Sequence, residues 1–186
     1  MQHTTRNTQH ATSIAWGITG AGHLLQECIN LILELDKVDG VDVFLSRAAE
    51  EVLRMYRLED DLRRATGAVV RDTLASAPIV GRFARSRYRV LVIAPATSNS
   101  VAKFVCGISD SLITNLFAQA GKNRMPIIVL PTDVAPEMDS IAPKGKVIKV
   151  YPRAIDLENT ARLREFPGVT VVENIESLRK CLITCS

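Results

Sequence analysis

Residues 90–94 (VLVIA) form an unbroken apolar run in the middle of the chain. A strand that is apolar on both faces must be covered on both faces, as the central strands of parallel α/β sheets are. The run ends at Pro95, and residues 96–100 (ATSNS) are small and mostly polar. Because ligands of open α/β sheets bind beyond the carboxyl ends of the strands, this strand end is a candidate ligand edge. An ordinary loop rich in turn-forming residues is the alternative interpretation.

A similar arrangement occurs near the start of the chain. Residues 13–18 (SIAWGI) predict a short strand, which the turn 19–22 (TGAG) and an apolar stripe of helical spacing follow. A strand, a turn of small residues and a helix start are the arrangement in which backbone N–H groups receive a phosphate. The turn matches neither the full dinucleotide glycine fingerprint nor a phosphate-binding loop that ends in Lys-Ser or Lys-Thr. His23, directly after it, either faces a ligand or is a partly exposed histidine without a chemical role, which is the commoner case.

The rest of the chain alternates strands and helices. We predict strands at 41–45, 125–130, 147–151 and 169–172, and helices at 48–56, 78–84, 157–164 and 176–183. A further helix opens at the polar cluster 107–111, residues 57–77 form a peripheral helix and loop, and 133–146 form a loop that is a candidate lid. This alternation predicts an α/β fold with three layers, α/β/α. The middle layer is a doubly wound, mostly parallel sheet. One domain covers 13–186, after a disordered tail at 1–12.

Composition excludes several functions. The net charge is only +3, from 23 basic and 20 acidic residues, and no basic run interleaved with aromatic residues points to nucleic acid. No apolar run is long enough to span a bilayer and no secretory signal is visible, so we expect a cytoplasmic protein without a membrane partner. The four cysteines lack metal-site spacing, so no metal is expected.

No catalytic acid–base arrangement is visible at the strand ends. His23 is the only histidine within the predicted fold, and no Ser–His–Asp or Cys–His set accompanies it. A site of backbone amides, hydroxyls and one side-chain amide suits a phosphorylated cofactor that performs the chemistry itself.

Four motifs together resemble a known family. They are GITGAG at 17–22, LS at 45–46, APATSNSVAK at 94–103 and GISDSLITN at 107–115. In these motifs the chain resembles the homo-oligomeric FMN-binding flavoproteins related to cysteine decarboxylases, over essentially all of 13–183. When the whole chain is compared, residues 150–169 included, it looks most like the archaeal-type dihydromethanopterin reductases and their archaeal flavoprotein relatives. The resemblance implies a flavodoxin-like sheet, with FMN held between the subunits of a trimer or of a multiple of trimers.

The resemblance also implies which residues contact the cofactor. Residues of the first turn would lie near the FMN phosphate, and Ser46 would contact the same side. The tip of the central strand would line the ribityl chain and the ring, with Asn99 in a positioning role. Lys103 would either complement the phosphate charge or be solvated. The whole expected set is Thr19, Gly20, Ala21, Gly22, Ser46, Ala96, Thr97, Ser98, Asn99, Lys103, Ser109, Asp110 and Ser111.

The departures from the decarboxylases are equally informative. Those relatives place a catalytic histidine before the central strand, where this chain has Ala75-Ser76-Ala77-Pro78. They also carry a substrate clamp after the next strand, of which Met138 alone remains here. Both losses argue against decarboxylation of a cysteine-containing substrate.

Two functions are therefore expected from the resemblance. The first is an FMN oxidoreductase that transfers hydride from reduced flavin to the C=N bond of a dihydropterin, 7,8-dihydromethanopterin, after reduction by a nicotinamide or a ferredoxin-like protein. The alternative is an electron-transfer flavoprotein that accepts electrons from a ferredoxin-like partner. The cluster Arg82, Arg85, Arg87 and Arg89 would then be either a docking patch for that acidic partner or a solvated face.

Overall fold

The computed structural model of the chain describes residues 13–64, 68–73, 88–143 and 145–184. Its helices are α1 (Leu25–Leu35), α2 (Arg47–Tyr56), α3 (Glu59–Arg63), α4 (Ser98–Cys106), α5 (Leu112–Lys122), α6 (Ala154–Leu163) and α7 (Ile175–Thr184). Its strands are β1 (Ser13–Ile18), β2 (Val41–Leu45), β3 (Val69–Arg71), β4 (Tyr88–Ala96), β5 (Ile127–Pro131), β6 (Met138–Ile141), β7 (Val147–Val150) and β8 (Val169–Val171). The expected tail at 1–12 and the expected helix at 78–84 lie outside the described residues.

The apolar run at 90–94 is the middle of β4, as its pattern predicts. All five of its side chains are fully buried, because helices cover both faces of the strand. The strand pairs with β1 on one side and with β5 on the other, in parallel in both cases.

The central sheet in the described part of the chain has six parallel strands in the order β3-β2-β1-β4-β5-β8. Without the edge strand β3, this is the order of flavodoxin-like sheets. The predicted flavodoxin-like, parallel α/β class is therefore confirmed. The order reverses between β1 and β4, so the crevice beyond their carboxyl ends is the topological switch point where such sheets bind ligands.

Two buried apolar clusters give the three layers. One cluster packs α1, α2, α3 and α7 against the sheet face that carries Trp16. The other packs α4, α5 and α6 against the face that carries Ala15 and Phe44. Neighbouring residues of one strand lie in different clusters because successive side chains point to opposite faces.

The prediction for 57–77 missed strand β3. Helix α3 lies in this segment as expected, but Val69–Arg71 then pairs with β2 at the sheet edge. The strand has only three residues and is half-exposed, so it shows no periodicity. A buried carboxylate fixes its start, since Asp42 accepts a hydrogen bond from the Ala68 N–H at 2.9 Å.

The prediction of a loop at 133–146 is wrong for four residues in its middle, 138–141. Met138–Ile141 forms β6, which pairs antiparallel with β7 in a separate two-stranded sheet. Strand β7 is thus a strand, as expected, but it does not belong to the central sheet. The turn between the two strands closes with Gly145 at φ 80°, where its N–H donates to the Ala142 carbonyl at 3.0 Å.

None of the helices in the described ranges is long and apolar enough to cross a bilayer. Over the same ranges, no three His, Cys, Asp or Glu side chains are grouped so that they could hold a metal ion.

Candidate functional site

The N-termini of three helices meet at the carboxyl edge of the sheet. Helix α2 follows Ser46, α4 follows Thr97 and α5 follows Ser111, and these three residues line one cavity of about 510 Å³, the cap cavity. A helix N-terminus carries unpaired backbone N–H groups and partial positive charge. Three such termini around one cavity favour an anion such as a phosphate.

The capping hydroxyls are already bound to their own helices. Ser46 Oγ accepts from the Ala49 N–H at 3.1 Å. Thr97 and Ser111 accept in the same way from the third residue of their helices, at 3.3 and 3.4 Å. Each cap satisfies one N–H group of the first turn, so the other N–H groups remain to receive a ligand.

A second cavity of about 250 Å³ adjoins the cap cavity, since Gly20, Thr97 and Ser98 line both. Its ionisable lining residues are His23, Asp133 and Asp139, and we call it the histidine cavity. Most cofactor-sized ligands occupy about 300–1,000 Å³. The two cavities together are therefore large enough for a cofactor with a phosphate at one end and a ring system at the other.

The structure brings most of the predicted site residues together. Those that line the cap cavity are Thr19, Gly20, Ser46, Thr97, Ser98, Asn99, Lys103, Asp110 and Ser111. Ala21 and Gly22 line the histidine cavity. Ala96 is fully buried at the end of β4 and Ser109 is exposed, and neither lines either of these two cavities.

Thr19 joins the two strands at the switch point. Its hydroxyl donates to the Pro95 carbonyl at 2.8 Å and accepts from the Thr97 N–H at 2.8 Å. The side chain is almost completely buried. Thr19 thus uses its donor within the protein and positions the cap of α4, instead of offering a free hydroxyl to a ligand.

The glycines of the first turn allow close contact with helix α2. A Cβ on Gly20 would lie 2.5 Å from the Cβ of Ala48, and one on Gly22 would lie 2.2 Å from the hydroxyl of Tyr56. Real Cβ atoms do not approach so closely, so an alanine at position 20 would press on Ala48 and its backbone, whereas one at position 22 would displace the Tyr56 side chain. From the glycines, the sequence predicts that the backbone of this turn approaches another group closely, but it does not reveal that this group is helix α2.

Lys103 and Asp110 pair with each other. The Lys103 Nζ lies 2.9 and 2.8 Å from the two carboxylate oxygens. This hydrogen bond holds the pKa of Asp110 below its ordinary value, with a smaller Coulombic contribution from the same lysine. The pair connects the end of α4 to the approach to α5, so part of the lysine charge is already neutralised on this side of the cavity.

Sequence reasoning missed several lining residues. Arg47 and Asp72 line the cap cavity, and the Arg47 Nε donates to the Asp72 carbonyl at 3.2 Å. Arg47 directly follows the expected Ser46, so its position next to a strand end is the signal that could have identified it. Asp133 follows β5 in the same way and lines the histidine cavity.

The electrostatics of the histidine cavity centre on His23. This side chain is half-buried, and desolvation lowers the pKa of the imidazole below its ordinary value. The carboxylates of Glu27 and Asp133 oppose that effect without cancelling it.

The arginine cluster does not form a free patch in the described residues. Arg82, Arg85 and Arg87 lie outside those residues. Arg89 is 14% exposed and its guanidinium lies 2.8 Å from the Asp39 carboxylate. It also donates to the Leu182 carbonyl at 3.4 Å, so it connects β4 to α7.

The fold and the site together define a class of protein: a doubly wound α/β protein whose switch point holds a cavity lined by three helix N-termini, an arrangement that favours an anion. The Flavoprotein family model matches residues 2–184. The chain therefore belongs to the Flavoprotein family, which confirms the resemblance that the motifs indicate.

Individual relatives support this assignment. A dihydromethanopterin reductase (acceptor) of Methanosarcina mazei is 43% identical over 153 residues, covering 77% of this chain and 60% of the relative. This chain thus spans about 60% of that relative's length. An uncharacterised protein of Methanocaldococcus jannaschii is 36% identical and covers 91% of this chain and 94% of its own length. Among solved structures, DmrB of Burkholderia xenovorans in complex with FMN, described as a cubic protein cage for redox transfer, is 42% identical, covers 96% of both chains and has a TM-score of 0.84.

Proposed function

We propose that this chain binds FMN at the switch point and acts as an FMN-dependent oxidoreductase that reduces the C=N bond of 7,8-dihydromethanopterin to the tetrahydro form. The observation that carries the proposal is the set of three helix N-termini around one cavity in a protein of the Flavoprotein family. The names of the M. mazei relative and of the FMN complex of DmrB support it.

The residues present fit FMN. Its phosphate would be held in the cap cavity by the first-turn N–H groups of α2, α4 and α5, with Arg47 and Lys103 as nearby cations. The ring would extend past Thr97 and Ser98 toward the histidine cavity, since these residues line both spaces. When bound, FMN would supply the hydride.

The chain's own residues would position the reactants. Thr19 and the two glycines fix the walls of the crevice, and Ala21 and Asn99 would contact the cofactor. Ser109 lies outside both cavities, so it would reach FMN from a neighbouring subunit. Ala96 would act through the backbone at the end of β4. Holding the reacting atoms about 3–3.5 Å apart is one way in which a protein accelerates such a transfer.

We also propose a homo-oligomer, a trimer or a multiple of trimers, with FMN at the subunit boundary. Exposed apolar side chains on the β6–β7 hairpin and just after it support an interface there; they are Ile141, Val147, Ile148, Tyr151 and Ile155. The electron donor would be a nicotinamide or a ferredoxin-like protein. Sedimentation of the purified protein measures the assembly state directly, and a monomer would contradict this part of the proposal.

An anaerobic reoxidation experiment tests the activity. The FMN-loaded protein is reduced with dithionite, and 7,8-dihydromethanopterin is added while the flavin absorbance is followed. We expect reoxidation much faster than in a control without pterin, with tetrahydromethanopterin as product. Reduced protein that reacts with a ferredoxin but not with the pterin would instead indicate the electron-transfer function.

A further inference from the structure

Reduction of a C=N bond requires an acid as well as a hydride. The carbon receives the hydride and the nitrogen receives a proton, which either water or a side chain of suitable pKa beside the ring can supply; a positioned side chain makes the step faster. The hydroxyls that line the histidine cavity belong to Thr97, Ser98, Thr132 and Ser140. The Thr132 hydroxyl donates to the Ala96 carbonyl at 3.4 Å, and the Thr97 hydroxyl caps α4. All four are alcohols, which do not give up a proton at neutral pH.

Two carboxyl groups also line the cavity, those of Asp133 and Asp139. Asp139 lies 3.1 Å from the Lys149 Nζ. Carboxylic acids of proteins ordinarily ionise near about pH 4, so as a class they hold no proton to donate at neutral pH. His23 remains, and imidazole is the side chain that changes its charge near physiological pH.

The position of His23 suits this role. It stands in the turn between Gly22 and α1, on the wall of the histidine cavity. That cavity shares Thr97 and Ser98 with the cap cavity, so a ring that extends from a phosphate in the cap cavity would face His23. The half-buried imidazole is still open to water, from which it can be reprotonated.

We propose that His23 is the proton donor of this reduction, giving a proton to the nitrogen of the pterin C=N bond. This inference rests on the function proposed above. The imidazolium N–H bond breaks and a pterin N–H bond forms, while the C=N carbon receives the hydride and its two electrons from reduced FMN. The imidazole is left neutral and takes its next proton from water.

The charges around His23 determine the expected pH dependence. Glu27 faces it from α1, Asp133 from the segment after β5, and Asp139 from β6 across the same cavity. Desolvation lowers the pKa of His23, while the negative charges of Glu27 and Asp133 raise it by a smaller amount. A donor must carry its proton, so we expect the rate constant for flavin reoxidation by the pterin to rise as the pH falls below about 6.5.

The test compares wild type with His23→Gln and with the control Gln26→Ala, an exposed residue of helix α1, which follows His23. FMN binding is measured first. Single-turnover reoxidation by dihydromethanopterin is then followed across pH, and reoxidation by ferricyanide, which needs no proton on a nitrogen, is followed alongside. We expect His23→Gln to slow the pterin reaction roughly 100-fold or more and to flatten its pH profile, while Gln26→Ala follows wild type.

Two further readouts do not depend on a single variant. NMR titration of the imidazole in the oxidised, FMN-loaded protein should show a pKa below the ordinary value that shifts when dihydromethanopterin binds. Added imidazole should partly restore the pterin reaction of His23→Ala. If His23→Gln matches wild type in rate and pH profile, His23 is not the donor and the reductase function stands. If wild type itself is not reoxidised by the pterin, both proposals are wrong.

Discussion

Gly20 shows how one residue sets the width of the crevice. Its backbone lies against Ala48 at the start of α2, and an added Cβ would meet the Ala48 Cβ at 2.5 Å and its backbone carbon at 3.3 Å. The obstacle includes backbone, so a side chain cannot simply rotate away. The β1–α1 turn or the N-terminus of α2 would have to move.

Gly20→Ala is therefore expected to weaken both stability and FMN binding. Overpacking of this kind costs about 1–3 kcal/mol of unfolding free energy. Gly121→Ala is the matched control, because Gly121 lies in α5 and a methyl group added there would have no neighbouring atom within 4 Å; it should be neutral or stabilising by up to about 1 kcal/mol. Urea unfolding and FMN titration measure both effects. Equal behaviour of the two variants would contradict the close contact at Gly20.

The residues that could be predicted are those whose role depends on neighbours in the sequence. Ser46, Thr97 and Ser111 each stand between a strand or loop and a helix, and all three are N-caps. The structural role of Thr19 could not be predicted. Its hydroxyl forms hydrogen bonds with the Pro95 carbonyl and the Thr97 N–H, and only the pairing of β1 with β4 brings these groups near.

At the scale of elements, a side-chain hydrogen bond between described residues attaches the β6–β7 hairpin to α2. The Tyr56 hydroxyl donates to the Ile141 carbonyl at 2.8 Å and contacts Gly22. The hairpin supplies Met138, Asp139 and Ser140 to the histidine cavity. Its attachment therefore determines how firmly one wall of that cavity is held.

Tyr56→Phe should loosen the hairpin without affecting the central sheet. Loss of one such hydrogen bond costs about 0.5–1.5 kcal/mol, so backbone amides of β6 and β7 should exchange with deuterium up to roughly tenfold faster. Tyr151→Phe is the control, since that side chain is 68% exposed. Unchanged exchange in the hairpin of Tyr56→Phe would show that the hydroxyl does not hold it.

Helix α6 depends on a capping carboxylate. Asp156 is 5% exposed and accepts from the Arg153 N–H at 3.1 Å and from the Arg153 guanidinium at 2.9 and 2.8 Å. The hydrogen bond from the Arg153 side chain holds the pKa of Asp156 below its ordinary value. A carboxyl whose pKa is lower in the folded state stabilises the fold above its unfolded pKa and loses this effect as the pH falls through the folded value.

Asp156→Asn should therefore be destabilising at neutral pH, by about 1 kcal/mol for a lost cap. The difference from wild type should be constant above about pH 5 and should shrink as the pH falls below about 3.9. Asp60→Asn is the control, because its i,i+3 pair with Arg63 is exposed on both sides; it should change the free energy by less than about 0.5 kcal/mol. Urea unfolding at several pH values measures this, and a difference that grows toward low pH would contradict the assignment.

The elements that could be predicted are mostly the long or fully buried ones; β8 has only three residues, but the turn signal Pro167-Gly168 marks its start. Strand β4 has a continuous apolar run and α5 an apolar stripe of helical spacing, whereas β3 is three residues long and β6 is half-exposed. The pairing partners of short strands lie far away in the sequence, so a local pattern does not reveal them. Strand β7 shows the related error: the pattern predicts a strand, but cannot tell which sheet it joins.

At the scale of the whole molecule, the cap cavity joins the two helical layers. Helix α2 packs on one face of the sheet and α4 and α5 on the other, yet all three N-termini line this cavity. An anion held there would connect both layers. It would therefore stabilise the entire fold and not only one side of it.

FMN should accordingly raise the stability of the protein as a unit. At a free concentration about 100 times its Kd, a ligand that binds only the folded state adds about 2.7 kcal/mol, and amides of α2, α4 and α5 should all gain protection from exchange. Riboflavin lacks the phosphate. Each helix N-terminus contributes about 0.3–1 kcal/mol of attraction to a phosphate, so the loss of three such contributions should make riboflavin bind roughly 5- to 150-fold more weakly than FMN. Thermal unfolding and exchange with each ligand test this. Equal affinity for the two flavins, or protection of one layer alone, would mean that the phosphate does not lie among the three helix N-termini.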